Sequence, residues 1–188
     1  MRDAAGAMSE PPFPVRRPST SAAPSGLWTR AHADVERDAH AAWRAGQLQR
    51  AFHLFQLGAS AGVAGCQLDL GYFHDAGIGT PVDKAKALYW YRLACRQGDA
   101  AAACNIALIY RDRGHRRLMV EWYRRAAALG DGEAAVELAR LHLGGHGVRR
   151  SLPIARRHLR AALGCKAIRP EALQWAQALA QQFPTAGI

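Results

Sequence analysis

The sequence predicts an all-α protein, a superhelix (solenoid) of about four helix-turn-helix repeats followed by a C-terminal capping helix. Two observations support this prediction. Alanine, leucine, arginine and glutamine, which favour helices, dominate the composition, while valine, isoleucine and threonine are sparse. From Leu27 onward, helical patterns of roughly 12 to 16 residues alternate with glycine-containing breaks, which recur at nearly constant spacing.

The spacing of the helix-ending glycines indicates the repeat. Gly62, Gly98, Gly130 and Gly164 are separated by 36, 32 and 34 residues. The segments before the second and third of these glycines carry the same Trp-Tyr pair, at positions 90–91 and 122–123. A hairpin of this size cannot bury its apolar face alone, so we expect successive hairpins to stack and the last one to be capped.

Three segments are expected along the chain. Residues 1–26 are rich in proline, serine and alanine and have no periodicity, which predicts a disordered tail. Residues 27–183 form the repeat region, and residues 184–188 a flexible end. The capping helix begins at Pro170, a residue suited to the first turn of a helix. Its apolar positions are expected to cover the last hairpin: Leu173, Trp175, Ala176 and Leu179.

The second unit closely resembles a Sel-one-like repeat, a relative of the tetratricopeptide repeat. The resemblance extends from about Ala39 to Lys166, although the first unit keeps only its second helix clearly and the third has a shortened interhelix loop. It implies a bacterial adaptor or scaffold that binds other proteins and is not an enzyme. The matching residues of the second unit are Cys66, Leu70-Gly71, His74, Gly77-x-Gly79, Asp83, Lys86-Ala87, Trp90-Tyr91 and Gly98.

The repeat's small and polar residues have physical roles. Gly71, Ala107 and Ala139 are expected where one helix approaches its partner closely. Asp83 is placed to cap the following helix by accepting hydrogen bonds from exposed backbone amides. Tight interhelix turns that need left-handed backbone conformations are expected at Gly77-x-Gly79 and Gly145-x-Gly147.

A binding groove is predicted on the first helices of the hairpins, which line the concave surface in superhelices of this kind. Helical spacing places an apolar strip there, edged by hydrogen-bonding side chains, which suits a peptide or a partner helix. The alternative is that Leu68, Cys104, Leu108 and Val136 are buried between adjacent units. The predicted groove residues are Leu68, Asp69, Tyr72, Asn105, Leu108, Glu137 and Arg140.

Positive charge is concentrated in the second half of the chain. The net charge is +10, and the segment 105–170 carries 14 Lys/Arg against 5 Asp/Glu. This asymmetry favours an acidic protein partner, with a nucleic-acid-associated factor as the alternative and a merely solvated surface as the simplest interpretation. Arginine doublets on a helix cannot face the same way, so a broad surface is expected. It includes Arg116, Arg117, Arg124, Arg125, Arg149, Arg150, Arg156 and Arg157.

Catalytic and cofactor sites are not predicted. Neither Ser-x-x-Lys nor Gly-x-Ser-x-Gly occurs in the sequence. His142 and His146 have metal-like i, i+4 spacing, but Gly144 and Gly145 between them mark a helix end. His74 and His142 occupy a packing position of the repeat. An enzyme built on these histidines or on a cysteine thiolate is the least favoured hypothesis, and no metal or cofactor is expected.

The four cysteines form no C-x-x-C pair and lack zinc-like spacing, which favours free, buried thiols in a reduced protein. The longest uncharged run, 51–68, is interrupted by glycine, serine and glutamine and is unsuited to spanning a membrane. No secretory signal pattern follows the arginine pair at 16–17. A cytoplasmic location is therefore predicted.

Overall fold

The computed structural model describes residues 25–165 and 168–183, and over these ranges every regular element is an α-helix. The predicted tail lies outside the described residues except for Ser25 and Gly26, which begin the first helix, and the predicted flexible end lies outside them entirely. The helices are α1 (Ser25–Arg44), α2 (Leu48–Ser60), α3 (Ala64–Ala76), α4 (Lys84–Arg96), α5 (Ala100–Asp112), α6 (Arg116–Ala128), α7 (Gly132–Gly144), α8 (Leu152–Leu163) and α9 (Pro170–Gln182).

The helices pair in chain order and the pairs stack. Four hairpins form from α1–α2, α3–α4, α5–α6 and α7–α8, and the second helix of each hairpin packs on the first helix of the next. Helix α9 packs against α8 and α7, as a cap on the last hairpin. The core runs through the stack between hairpins. The predicted all-α solenoid is confirmed.

The glycines of the α3–α4 and α7–α8 loops adopt the expected turns. Gly77 and Gly145 end their helices with φ of 73° and 74°, in the left-handed region that side chains with a Cβ rarely enter. Two residues later, Gly79 and Gly147 also have positive φ. At the end of each loop, the backbone amide of Asp83 or Ser151 donates a hydrogen bond to the carbonyl of His74 or His142, in the last turn of the preceding helix.

Close approach explains the glycine in the middle of α3. A Cβ on Gly71 would lie 2.6 Å from Cδ1 of Tyr91, far inside van der Waals contact. The corresponding small residues Ala107 and Ala139 are completely buried. These residues let the two helices of each hairpin pack closely, as the sequence predicted.

The N-terminal cap of α4 also forms as predicted. The Asp83 carboxylate accepts from the backbone amides of Ala85 and Lys86, both at 3.0 Å. These amides have no partner within the helix, so the carboxylate stabilises the first turn. They also hold the pKa of Asp83 below its usual value.

Helix α9 covers the last hairpin with fewer side chains than expected. Ala176 is completely buried, and Leu179 packs against the last core cluster. Trp175 remains 50% exposed, so it covers the last hairpin only in part. Its ring lies beneath Arg140 of α7, whose guanidinium carbon is 4.4 Å from the ring centroid.

Candidate functional site

At the two ends of the stack, side chains of a first helix contact the neighbouring first helix or the capping helix α9 along one face. Between α1 and α3, His40 Nε2 lies 3.1 Å from an Asp69 carboxylate oxygen. The rings of Trp43 and Tyr72 lie 5.9 Å apart. Between α7 and α9, the Arg140 guanidinium covers the ring of Trp175. We call this surface the first-helix face; it contains the predicted groove.

Equivalent positions of α3, α5 and α7 form rows across the first-helix face. The sixth residues of these helices are Asp69, Asn105 and Glu137, all polar and half-buried. The ninth residues are Tyr72, Leu108 and Arg140, of which the first and last are exposed. The rows bring the predicted groove residues into register from hairpin to hairpin.

The apolar strip of the predicted groove is largely taken up by packing between hairpins. Leu68, Cys104 and Leu108 are half-buried against the central core cluster. Val136 is buried. Tyr72, 41% exposed, and Arg140 are the exposed residues of the predicted groove, and the other five are half-buried.

Two polar groove residues have partners within the fold. Burial raises the pKa of Tyr91, and the nearby side chain of Asn105 lowers it. Glu137 accepts from Arg140 Nη1 at 3.0 Å, one helical turn away on α7. The pair on α7 is exposed to solvent, so it orients the guanidinium more than it stabilises the helix.

A cluster between α1 and α3 escaped the sequence analysis. Ligand atoms of Glu36, His40 and Asp69 all lie within 4.8 Å of one another. Burial raises the pKa of Asp69 to about 6; His40 lowers it, and Glu36 and Asp99 add to the increase. Carboxylate oxygens and an imidazole nitrogen suit divalent transition-metal ions. Among the described residues, these three could hold such an ion. Their one sequence signature is the i, i+4 spacing on α1, since Asp69 is remote in the chain.

The histidines and cysteines considered for catalysis are placed for packing. His74 and His142 are 5% and 4% exposed, and His142 Nδ1 lies 3.2 Å from the carbonyl oxygen of Arg149. Burial, followed by nearby carboxylates, raises the pKa of the Cys66 and Cys104 thiols to about 12. Nucleophilic cysteines need the opposite shift, because the thiolate is the reactive form.

Four of the eight predicted basic-surface arginines line one cavity of about 750 Å³. We call it the basic cleft: it lies between α6, the α7–α8 loop and the start of α8, and contains Arg117, Arg124, Arg149 and Arg150. One arginine of each adjacent pair on α6, Arg117 and Arg124, lines the cleft, because neighbouring residues of a helix face different directions. Both members of the 149–150 doublet line it because they lie in a loop.

The other basic-surface residues do not line the basic cleft. Arg125 lies over the Trp122 ring, with its guanidinium carbon 5.3 Å from the centroid. Arg116 and Arg157 are exposed, and Arg156 is half-buried. The broad positive surface expected from the sequence therefore has one concentrated region, the basic cleft.

A sequence model of the Sel1 repeat matches residues 46–63, 64–99, 120–131 and 132–163, just over half of the chain. The matches include the whole α3–α4 and α7–α8 hairpins, together with α2 and the later part of α6. The chain belongs to the Sel1 repeat family. The predicted resemblance to Sel-one-like repeats is thereby confirmed, and Sel1 repeats generally mediate protein–protein interaction.

Solved Sel1 repeat structures share the fold. A Sel1 repeat protein from Oxalobacter formigenes is 24% identical, with a TM-score of 0.67, covering 80% of this chain and 59% of that one. A protective antigen present in uropathogenic Escherichia coli strains, displaying an SLR fold, is also 24% identical, with a TM-score of 0.53. That match covers 71% of this chain and 40% of the antigen. This Sel1 repeat chain thus spans about half the length of these structures, and the similarity concerns the fold.

No functionally curated protein matches this Sel1 repeat sequence. Within the described residues, no helix combines the length and apolar character needed to cross a membrane. The predicted cytoplasmic location stays a prediction.

Proposed function

We propose that this chain is a non-catalytic interaction scaffold whose first-helix face binds a peptide or a helix of a partner protein. The observation that carries the proposal is the register of Tyr72 and Arg140, which occupy equivalent positions of α3 and α7 and are both exposed. Large amphipathic side chains of these types dominate protein-binding surfaces, because each buries much area while keeping a polar group for orientation.

The row of polar side chains beside these positions supports recognition of an extended segment. Asp69, Asn105 and Glu137 repeat at the same position of successive first helices. A bound peptide running across the helices would meet one hydrogen-bonding group per hairpin. In repeat proteins, surfaces built in this way bind elongated ligands.

The experiment is affinity capture with the intact chain, followed by mass spectrometry and a binding measurement on the purified partner. We expect a protein retained by the wild type and lost with Tyr72→Ala and Arg140→Ala together. Leu57→Ala on α2 and Arg160→Ala on α8 serve as matched controls, because both side chains are exposed and neither lies on a first helix. A partner lost equally with the controls, or none retained by folded bait, contradicts the proposal.

The alternative function, a nucleic-acid-associated factor, is motivated by the charge of the second half. Phosphate contacts of this type lose affinity steeply as salt rises. Failure of a labelled oligonucleotide to bind at low salt eliminates this alternative and leaves the scaffold proposal unaffected.

A further inference from the structure

The basic cleft is an open pocket that the proposed groove does not use. It is formed by the second helix of one hairpin, α6, and by the loop and second helix of the next. Its volume of about 750 Å³ falls in the range of small-ligand sites, roughly 300–1,000 Å³. The groove lies on first helices, so the two sites are separate surfaces.

The charge of the basic cleft is uncompensated within the described structure. No aspartate or glutamate lines it. None of its four arginines forms an ion pair with a carboxylate in the parts of the chain that are described. Like charges gathered at one cavity repel one another, and a multivalent anion bound among them relieves that repulsion.

The equivalent position in the α2–α4 region shows that the fold does not require this charge. Helices α2, α3 and α4 begin 68 residues before α6, α7 and α8. The four arginine positions there are neutral: Gln49, Gln56, Pro81 and Val82.

The cavity itself also depends on side chains. Val120 lines the basic cleft, and its equivalent, Phe52, places its ring 5.4 Å from that of His74. The smaller valine leaves space beside His142 where the earlier unit has an aromatic ring. Both the space and the charge thus belong to α6 and the α7–α8 loop of this unit and are not general features of the repeat.

We propose that the basic cleft binds a phosphate monoester. Guanidinium groups donate paired hydrogen bonds that match phosphate oxygens, and four arginines line this one pocket. Helix α8 also begins in the cleft, which adds the positive end of its dipole. A single dianionic group fits this arrangement better than an extended polyanion, which would need charges spread along a track. The phosphate is carried by a free small molecule or by a phosphorylated side chain of another protein.

The test is calorimetric titration of the full chain with two probes, phenyl phosphate and a blocked Gly-Gly-phosphoserine-Gly-Gly peptide. The same peptide with unmodified serine is the ligand control. We expect saturable binding of a phosphorylated probe and none of the serine peptide. Tighter binding of the phosphopeptide assigns the site to a partner protein, and equal or tighter binding of phenyl phosphate assigns it to a free phosphate ester.

Charge-matched variants separate the cleft from general attraction. Arg117→Gln with Arg149→Gln, and independently Arg124→Gln with Arg150→Gln, are expected to weaken binding by about tenfold or more. All four side chains are exposed, so these variants should keep the helical circular dichroism of the wild type. Arg113→Gln with Arg160→Gln removes the same charge from exposed positions outside the cleft and is expected to change affinity by at most about twofold.

Three outcomes overturn the proposal. The first is no binding of either phosphorylated probe by the wild type. The second is an equal loss of affinity in the control and cleft variants. The third is tighter binding of an unstructured oligonucleotide that depends on all the arginines alike, which indicates a diffuse polyanion surface. Capture of the groove partner is measured separately, so failure of either proposal is distinguishable from failure of the other.

Discussion

The α1–α4 half of the molecule and the α5–α8 half follow the same backbone plan, 68 residues apart. Helices α2, α3 and α4 begin at positions 48, 64 and 84, and α6, α7 and α8 at 116, 132 and 152. The loop glycines keep this offset with nearly the same φ angles. The backbone hydrogen bonds that close the two loops are Asp83 N to His74 O at 2.8 Å and Ser151 N to His142 O at 2.9 Å.

The side chains of the two halves differ where they are accessible. The first-helix face carries the Glu36, His40 and Asp69 cluster in the first half, and its equivalents in the second half are Cys104, Leu108 and Glu137. The four positions that carry arginine in the basic cleft of the second half are uncharged in the first half. The comparison shows that the repeated packing residues determine the backbone. The side chains that take no part in the packing differ in charge and polarity between the halves.

The largest expected effect concerns the hairpin core, where the halves pair small and large residues differently. Gly71 faces Tyr91 in the first half; the equivalent residues Ala139 and Leu159 share a core cluster in the second. Gly71→Ala should lower the free energy of unfolding by about 1–3 kcal/mol, because the clash with the ring outweighs the better helix propensity of alanine. Urea unfolding measures this change.

A double variant tests whether a smaller side chain on α4 makes room for alanine at position 71. Gly71→Ala combined with Tyr91→Leu reproduces the pairing of the second half, so its loss should be smaller than the sum of the two single losses. If the Gly71→Ala protein is as stable as the wild type, α3 and α4 can move apart to accommodate a methyl group at no cost in free energy.

The second half should lose stability in acid through His158. Burial, followed by Arg157, His142 and Arg124, lowers the pKa of His158 to about 4. In the unfolded chain the pKa of histidine is about 6.5. The unfolded state therefore binds the proton first, and stability present above pH 6.5 is lost as the pH falls towards 4.

Allowing for solvent screening, the loss amounts to about 1–2 kcal/mol. His158→Gln should reduce the difference in unfolding free energy between pH 7 and pH 4.5 by this amount. The exposed His53, in the first half, provides the control variant His53→Gln. The interpretation fails if both variants change the pH dependence equally.

The helix caps of the two loops should differ in strength. Asp83 accepts from two amides at 3.0 Å, whereas Ser151 accepts from Ile154 at 3.5 Å. Asp83→Ala should therefore cost about 1–2 kcal/mol and Ser151→Ala about 0.5 kcal/mol. Thermal unfolding of the two variants at neutral pH compares them directly. Equal costs would mean that the serine cap shortens in solution.

The smallest expected effect is at the C-terminal end of the first-helix face. The Arg140 guanidinium lies over the half-exposed ring of Trp175. A double-mutant cycle with Arg140→Ala and Trp175→Ala should give a coupling of about 0.5–1 kcal/mol. The equivalent residue of the first half, Tyr72, offers the comparison, since it contacts Trp43 through ring packing alone. A coupling of zero would show that the contact between Arg140 and Trp175 does not help to hold α9 against α7.

Much of the fold was accessible from local sequence. Gly77 and Gly145 mark left-handed turns because a side chain disfavours that conformation, and Asp83 marks a helix start because its carboxylate reaches the next free amides. Gly71 marks a close helix crossing. These properties depend on a few neighbouring residues, or on one contact that each hairpin repeats.

The candidate sites were less accessible, because each joins residues distant in the chain. Asp69 meets Glu36 and His40 only when α3 packs beside α1. The charge excess of the second half was evident, but its concentration at one cavity was not. It requires the α7–α8 loop to lie against α6.

The amino-acid sequence alone was sufficient to predict the helices, their turns and the stacking of hairpins, because each depends on short-range sterics and on a recurring apolar pattern. Packing decided which polar and charged groups share a surface. Arg117 and Arg149 became neighbours, and Trp175 stayed exposed beneath Arg140, because the distances between hairpins are set by side chains that fill the core. Such distances arise from the whole stack, and no single segment contains them.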